Sequence, residues 1–528
     1  MRPPLPKRRP GRRQLGSGIG FAARAAGLAL LAGLAACEFG GFGFNKTVVG
    51  YHGGVVADEP HAALIGREVL DLGGSAGDAA VATYFALAVT LPSTAGLGGG
   101  GACVAYDPQT KRMEAIEFLP RPTAGGAMAV PGNVRGMALL HSRFGHLPWG
   151  QLIGPAESLA RIGTEASRAF GNDIAQSGIA ERGDASLLHL FADRDGNLVH
   201  EGVQFKQQDL AGVLSRVRSL GAGDFYTGMV GRQLADGAAA AGGDLTLDDL
   251  RGFVPRRVAP LSLTLGNHLL LLPPPPAAGA ALAADTIAMT ATAGYRAAGQ
   301  AHRVQIMAAA VRRAMAADAQ RSATTPGDPG RAKALMADYR ADGAGPPMPV
   351  DLPADAAPPA ASFVAMDNSR AAVACTVTQG GWFGSGRIAE GTGVLLAAPP
   401  APAGALSMAP LLVVNTHTER AFLALGSADG RYAAAAAVET VLGLFIENRS
   451  LEVILDRPRL ADDGQAVLLE PEADDTALAL QHAGYRLEEV PRIGRVNAIY
   501  CPPDLPNDSK ACEARADPRG AGLAAGAR

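Results

Sequence analysis

Cys37 is the residue whose surroundings most narrowly define a reaction. Lys7, Arg8, Arg9, Arg12, Arg13 and Arg24 precede an apolar run over residues 25–36, which ends in Leu34-Ala35-Ala36-Cys37. A basic head, a short apolar segment and small residues before a cysteine suit acylation of the thiol followed by cleavage, after which Cys37 becomes the first residue. A transmembrane helix would need about 20 apolar residues, and this run is shorter and richer in Ala and Gly than in Leu. Two or three acyl chains on one cysteine anchor stably, so the expected partner is a membrane, contacted through lipid on Cys37 and not crossed. Glu38 does not match the aspartate of inner-membrane retention, which points to the outer membrane of a bacterial envelope, facing the periplasm. The pair Arg12-Arg13 leaves the export route open between Sec and twin-arginine.

Four cysteines remain. Cys501 and Cys512 bracket a short, turn-rich loop, and an exported chain is expected to join them as a disulfide. Cys103 and Cys375 lie in apolar, strand-like stretches and are expected as buried thiols. Gly73-Gly74-Ser75-Ala76-Gly77 spells Gly-x-Ser-x-Gly, but a nucleophile elbow needs a strand before the serine and a helix-like stretch stands there instead. The histidines are scattered, with no His-Glu-x-x-His and no Cys-x-x-Cys, so no metal and no cofactor are expected.

Charge excludes one class of partner. Residues 1–36 hold 7 of the 47 basic residues and none of the 50 acidic ones, leaving 40 against 50 in the mature body. No Lys/Arg-rich run follows residue 37, so neither nucleic acid nor an anionic surface is expected to bind through a basic patch. With 528 residues, 48% of them hydrophobic, the chain can bury a large core.

The elements that would position any chemistry are mixed. Val304, Met307, Val311 and Met315 fall on one face at spacings of three and four, predicting an amphipathic helix over 302–320. Residues 362–366 and 371–378 read as two strands around a turn at Asp367-Asn368-Ser369. Between helix and hairpin, 321–361 is rich in Ala, Pro, Gly and Asp and reads as a long exposed loop.

Several segments, in order, resemble the γ-glutamyltransferase family of N-terminal-nucleophile hydrolases. Gly73-Gly74-Ser75-Ala76-Gly77-Asp78-Ala79-Ala80-Val81-Ala82 is similar to the family's Gly-Gly-Asn-Ala-Val-Asp-Ala-Ala-Val-Ala. Gly96-Leu97-Gly98-Gly99-Gly100-Gly101, Ala129-Val130-Pro131-Gly132, Phe144-Gly145-His146-Leu147-Pro148-Trp149 and Phe225-Tyr226-Thr227-Gly228 follow. Gly242-Gly243-Asp244-Leu245-Thr246, the prolines at 273–276, Gly384-Ser385-Gly386 and Ala516-Asp517-Pro518-Arg519 complete the set. The resemblance implies an α+β fold, a four-layer αββα sandwich made as one precursor that cuts itself before a threonine. That threonine then attacks a γ-glutamyl amide such as glutathione's, with its own amine as base.

The family writes the cut as Thr-Thr-His-(Phe or Tyr)-Ser-Val-Val-Asp. Aligned without gaps on Asp367, this becomes Ala360-Ala361-Ser362-Phe363-Val364-Ala365-Met366-Asp367, so the nucleophile position holds Ala360. The family's substrate-gripping arginine becomes Leu119, with Arg121 two residues late between Pro120 and Pro122. The Leu-Asn-Asn-x-Met-Asp-Asp block becomes Leu396-Ala397-Ala398-Pro399-Pro400-Ala401-Pro402, without its polar groups. Thr-Leu-Asn becomes Thr378-Gln379-Gly380, the Ser-Ser pair Leu406-Ser407, and the Gly-Gly oxyanion pair Asp429-Gly430. Thr378, Ser407, Gly430 and Arg121 are thus remnants of the cleft, and no catalytic residue is intact.

The expected function is a γ-glutamyltransferase-like, glutathione hydrolase-like pseudoenzyme. One alternative is an active γ-glutamyl amide hydrolase or transferase using Ser362 after self-cleavage, although Ser362 stands roughly 6 to 7 Å along a strand from the nucleophile position. Another is an envelope binding protein whose former cleft takes a small molecule or a protein. The expected organisation is a signal peptide over 1–36, a lipidated tether over 37–49 and a large-subunit-like region over 50–320. An Ala/Pro-rich linker over 321–359 and a small-subunit-like region over 360–528 complete it.

Overall fold

Runs such as Gly100–Asp107 and Ala372–Thr378 are apolar on both faces and buried along almost their whole length. A strand is apolar on both faces when each face is covered, here by helices on one side and a second sheet on the other. The computed structural model describes residues 53–319, 325–340, 343, 348, 359–400, 408–502 and 512–527, together with the strand Val48–Val49. These lie within one unit, Phe44–Arg528.

In chain order the sandwich strands are β1 (Val48–Val49), β2 (Gly54–Ala57), β3 (Gly100–Asp107), β4 (Arg112–Phe118), β5 (Arg256–Val258), β6 (Leu261–Leu265) and β7 (His268–Leu272). They continue as β8 (Ala361–Met366), β9 (Ala372–Thr378), β10 (Leu411–Asn415), β11 (Arg420–Ala428), β12 (Arg495–Tyr500), β13 (Glu513–Arg515) and β14 (Leu523–Gly526). One seven-stranded sheet runs β1-β13-β12-β11-β10-β7-β6 and the other β14-β2-β8-β9-β3-β4-β5. Neighbours in both are antiparallel.

The main helices are α1 (Pro60–Asp71), α2 (Ala76–Thr90), α3 (Asn133–Phe144), α4 (Trp149–Ile162), α5 (Arg168–Ser177), α6 (Ala278–Thr292), α7 (Gln300–Ala319) and α8 (Ala433–Phe445). α2 and α3 share a core with Cys103, Phe363 and Val377 of the second sheet, while α6, α7 and α8 share one with Leu270, Leu411 and Leu425 of the first. Val104, Val364, Leu412 and Ile499 fill the space between the sheets. The result is a four-layer αββα sandwich, helix, sheet, sheet, helix. Among the described residues, no helix is long and apolar enough to cross a membrane.

Ser75 caps α2, its hydroxyl accepting the Asp78 N–H at 3.1 Å. The Gly-x-Ser-x-Gly string is therefore a helix start between two helices, as the residues before it implied. Asp367 fastens the β8–β9 hairpin to that helix: Oδ1 accepts the N–H groups of Ser369 and Ala371 and Oδ2 accepts the N–H of Ala76 at 3.0 Å. Gly77 is required where α2 passes Phe144, since a Cβ there would stand 2.5 Å from the Phe144 carbonyl oxygen.

Three expectations need correction. Cys103 and Cys375 are not thiols: they face each other across β3 and β9, with sulfurs 2.02 Å apart in a disulfide. Antiparallel register set this pairing between residues 272 apart. The second disulfide, Cys501–Cys512, closes with sulfurs 2.07 Å apart. The stretch 321–361, which reads as a long exposed loop, contains the helix Pro329–Leu335, capped by Asp328 and tied to α6 through Arg331 and Asp285 at 3.0 Å. Its cue is an N-cap aspartate followed by proline, in a helix too short to show a period. Finally, α7 buries Val304, Met307, Val311 and Met315, but its other side is buried too, and Arg312 pairs there with Asp462 at 2.9 Å.

Candidate functional site

β8 leaves the hairpin and runs back toward Ala360, which stands just outside its first residue with no exposed surface. The peptide bond before Ala360 is held in place. Thr378, last residue of β9, donates its hydroxyl to the Pro359 carbonyl at 2.7 Å, and the Gly380 N–H donates to that same hydroxyl oxygen at 3.0 Å. The Ala360 carbonyl accepts from Arg495 Nη2 at 3.1 Å. What this position presents toward any substrate is a methyl group.

Ser362 is engaged elsewhere. Its hydroxyl accepts from Asn497 Nδ2 at 2.9 Å, its N–H donates to Asp58 Oδ2 at 2.8 Å, and it has no exposed surface. A Cβ on Gly426 of the facing sheet would lie 2.9 Å from the Ser362 Cβ, so the serine is packed between the sheets.

Of the residues expected as cleft remnants, Thr378 lies beside position 360. Arg121 is exposed, 5.0 Å from the Phe253 ring centre, and donates to the Val254 carbonyl at 3.0 Å. Gly430 follows Asp429, both with positive φ, +77° and +80°. Ser407 and Cys37 fall outside the described residues. Over 396–400, hydrogen bonds run through the backbone, such as the Ala398 N–H to the Gln379 carbonyl at 2.9 Å, and the Ser385 hydroxyl donates to the Leu396 carbonyl at 2.9 Å. The Gln379 amide is buried with neither its oxygen nor its nitrogen hydrogen-bonded.

The structure adds residues that no motif announced. Asp58 at the end of β2, Asp173 on α5, Asp429 after β11 and Arg495 at the start of β12 converge near Ala360. Arg495 lies 3.7 Å from both Asp58 and Asp429, and Arg492 lies 3.1 Å from Asp429. Burial works against the charge on Arg495, but the carboxylates of Asp58, Asp429 and Asp173 outweigh it and hold the guanidinium above its ordinary pKa. Asp173 accepts the Ser93 hydroxyl at 2.5 Å. Burial pushes its carboxyl up to about 7 despite Arg495 and that hydrogen bond. A run of alternating polar residues would have betrayed such a cluster, but its members come from separate segments with one or two residues each. Among the described residues, no three His, Cys, Asp or Glu side chains meet as metal ligands.

Known proteins share parts of this sequence and its fold. Glutathione hydrolase 2 of Arabidopsis thaliana is 35% identical over 242 residues, 43% of this chain and 42% of that protein. Glutathione hydrolase proenzyme of Bacillus subtilis (strain 168) is 32% identical over 233 residues, 40% and 39% respectively. The matched part thus spans less than half the length of these curated relatives. Cephalosporin acylase from Bacillus halodurans shares the fold, with TM-score 0.74 at 18% identity over 93% of this chain and 99% of that one. The Helicobacter pylori gamma-glutamyltranspeptidase structure superposes with TM-score 0.51 at 26% identity, covering 56% of this chain and 93% of that one. The model of the Gamma-glutamyltranspeptidase family matches residues 62–399 and 404–527. With that pattern broken only at 400–403 and laid on a four-layer sandwich, this chain belongs to the gamma-glutamyltranspeptidase family.

Proposed function

We propose that this chain is a lipid-anchored envelope protein on the gamma-glutamyltranspeptidase fold that has lost both self-cleavage and γ-glutamyl transfer, a pseudoenzyme. The observation that carries the reading is Ala360. The position that must supply an attacking oxygen ends in a buried methyl group. Loss of a nucleophile alone costs on the order of a millionfold in turnover in a serine protease. Ser362 offers little rescue, because it is packed between the sheets with its hydroxyl on Asn497.

Two disulfides support export, since such bonds persist in oxidising compartments. Lipid on Cys37 would then hold the protein at the periplasmic face of the outer membrane. The former cleft would serve binding of a small molecule or a protein instead of acyl transfer.

The test is the intact mass, under denaturing and reducing conditions, of a soluble form starting just after Cys37. A single unbroken chain after long incubation is the expected result. Two fragments, with a new N-terminus at Ser362, would replace this reading with hydrolysis of γ-glutamyl amides.

A further inference from the structure

Two guanidinium groups converge on one oxygen beside Ala360. Asp429 Oδ2 lies 3.1 Å from Arg492 Nε and 3.7 Å from Arg495 Nε. The second separation is too long for a hydrogen bond. Arg495 is only 7% exposed, and its Nε is buried without a hydrogen-bond acceptor while its Nη2 serves the Ala360 carbonyl. Arg492 is a third exposed and also donates through Nη2 to Gln176 at 3.2 Å.

The residue that supplies the oxygen is held under strain. Asp429 adopts φ +80°, a left-handed conformation that glycine enters freely and that costs a residue with a Cβ, though Asp and Asn less than most. A strained residue that aims a carboxylate at two arginines, yet leaves one Nε unanswered, is an imperfect stand-in for a free anion. We propose that Arg492 and Arg495, beside Gly430, form a subsite for a compact carboxylate, and that Asp429 occupies it as a built-in anion that keeps it closed. The ligand class follows from shape and charge. A monoanionic carboxylate replaces Asp429 charge for charge between the two Nε donors, whereas a phosphate dianion would bring a second negative charge beside Asp58 and Asp173. The inference deepens the binding role proposed for the former cleft and does not depend on whether the chain is cut.

Asp429→Gly removes both the strain and the occupant. Asp429→Asn keeps the side-chain shape and removes the charge, as a second variant. Isothermal titration with sodium acetate, against sodium chloride and sodium phosphate of equal ionic strength, reads the site. At least tenfold tighter acetate binding than in the parent chain is expected for Asp429→Gly and a gain of more than twofold for Asp429→Asn, whose amide must swing aside, with no matching gain for phosphate. Adding Arg492→Ala should abolish the gain. Acetate binding within twofold of the parent in both variants, or a gain that survives Arg492→Ala, would overturn the proposal. So would failure of both variants to fold, since Asp429 would then be a structural ion-pair partner. An equal gain for phosphate would overturn the assignment to carboxylates. Intact masses of the same samples report separately on the pseudoenzyme reading.

Discussion

The Pro359 carbonyl still receives the Thr378 hydroxyl at 2.7 Å, although the residue after it has nothing with which to attack. On the proposed reading, one oxygen added at position 360, beside this polarised carbonyl, would restore self-cleavage but not γ-glutamyl transfer. Ala360→Ser is expected to restore splitting of the 359–360 bond, seen by mass as a fragment whose first residue is the introduced serine. γ-Glutamyl amide hydrolysis should stay absent, because Leu119 and the apolar segment at 396–402 cannot hold the substrate's charged ends. An uncut Ala360→Ser chain would show that Thr378 no longer serves cleavage. A second prediction concerns Asp173, whose carboxyl titrates at about 7 when folded and at its ordinary 3.8 when unfolded. Between those values the unfolded chain releases a proton that the folded chain keeps, so this group's contribution to stability falls as pH rises from about 4 to about 7. Asp173→Asn cannot ionise and still offers Ser93 an acceptor oxygen. It should be more stable than the parent at pH 8 by on the order of 2 to 4 kcal/mol, with least difference near pH 4. Urea unfolding at the two pH values checks this, and a constant difference would reject it.

At the scale of elements, Asp367 joins a hairpin turn to the start of α2, and the disulfide Cys103–Cys375 joins β3 to β9. Asp367→Ala leaves the turn and helix N–H groups without their acceptor, at a cost of about 2 kcal/mol. A lower urea midpoint with unchanged slope is the expected signature. The disulfide bears on the cleavage experiment. In Ala360→Ser the two fragments should migrate as one species until a reductant is added, since β3 and β9 lie on opposite sides of the cut. Separation without reductant would mean the bond is not formed in the protein.

At the scale of the whole molecule, both sheets are woven from strands on either side of position 360. The second takes β2, β3, β4 and β5 from before it and β8, β9 and β14 from after it. The sandwich therefore needs strands from both sides of that position, whether or not the chain is ever cut. The proposed attachment to the envelope is separable from this fold. Cys37→Ser should move the protein from the membrane fraction to the soluble fraction without lowering its unfolding midpoint, and retention in the membrane fraction would argue against the lipid anchor.

Local features were legible in the amino-acid order. The hairpin around Asp367 depends on neighbours in the chain, and so does the cap at Ser75, which the preceding helix-like residues distinguished from a nucleophile elbow. The reading of Ala360 as the nucleophile position rests on its short, ungapped distance from Asp367. The family pattern also carried the four layers, because its glycines and small residues mark where backbones approach. Contacts between distant segments were not legible. Cys103 and Cys375 read as separate apolar thiols until strand register set them face to face. Asp58, Asp173, Asp429, Arg492 and Arg495 each look like an ordinary charged residue in their own segments. Their convergence beside Ala360 arises only when two sheets and a helix pack together, because burial and proximity, which decide what a charge does, are properties of the tertiary structure.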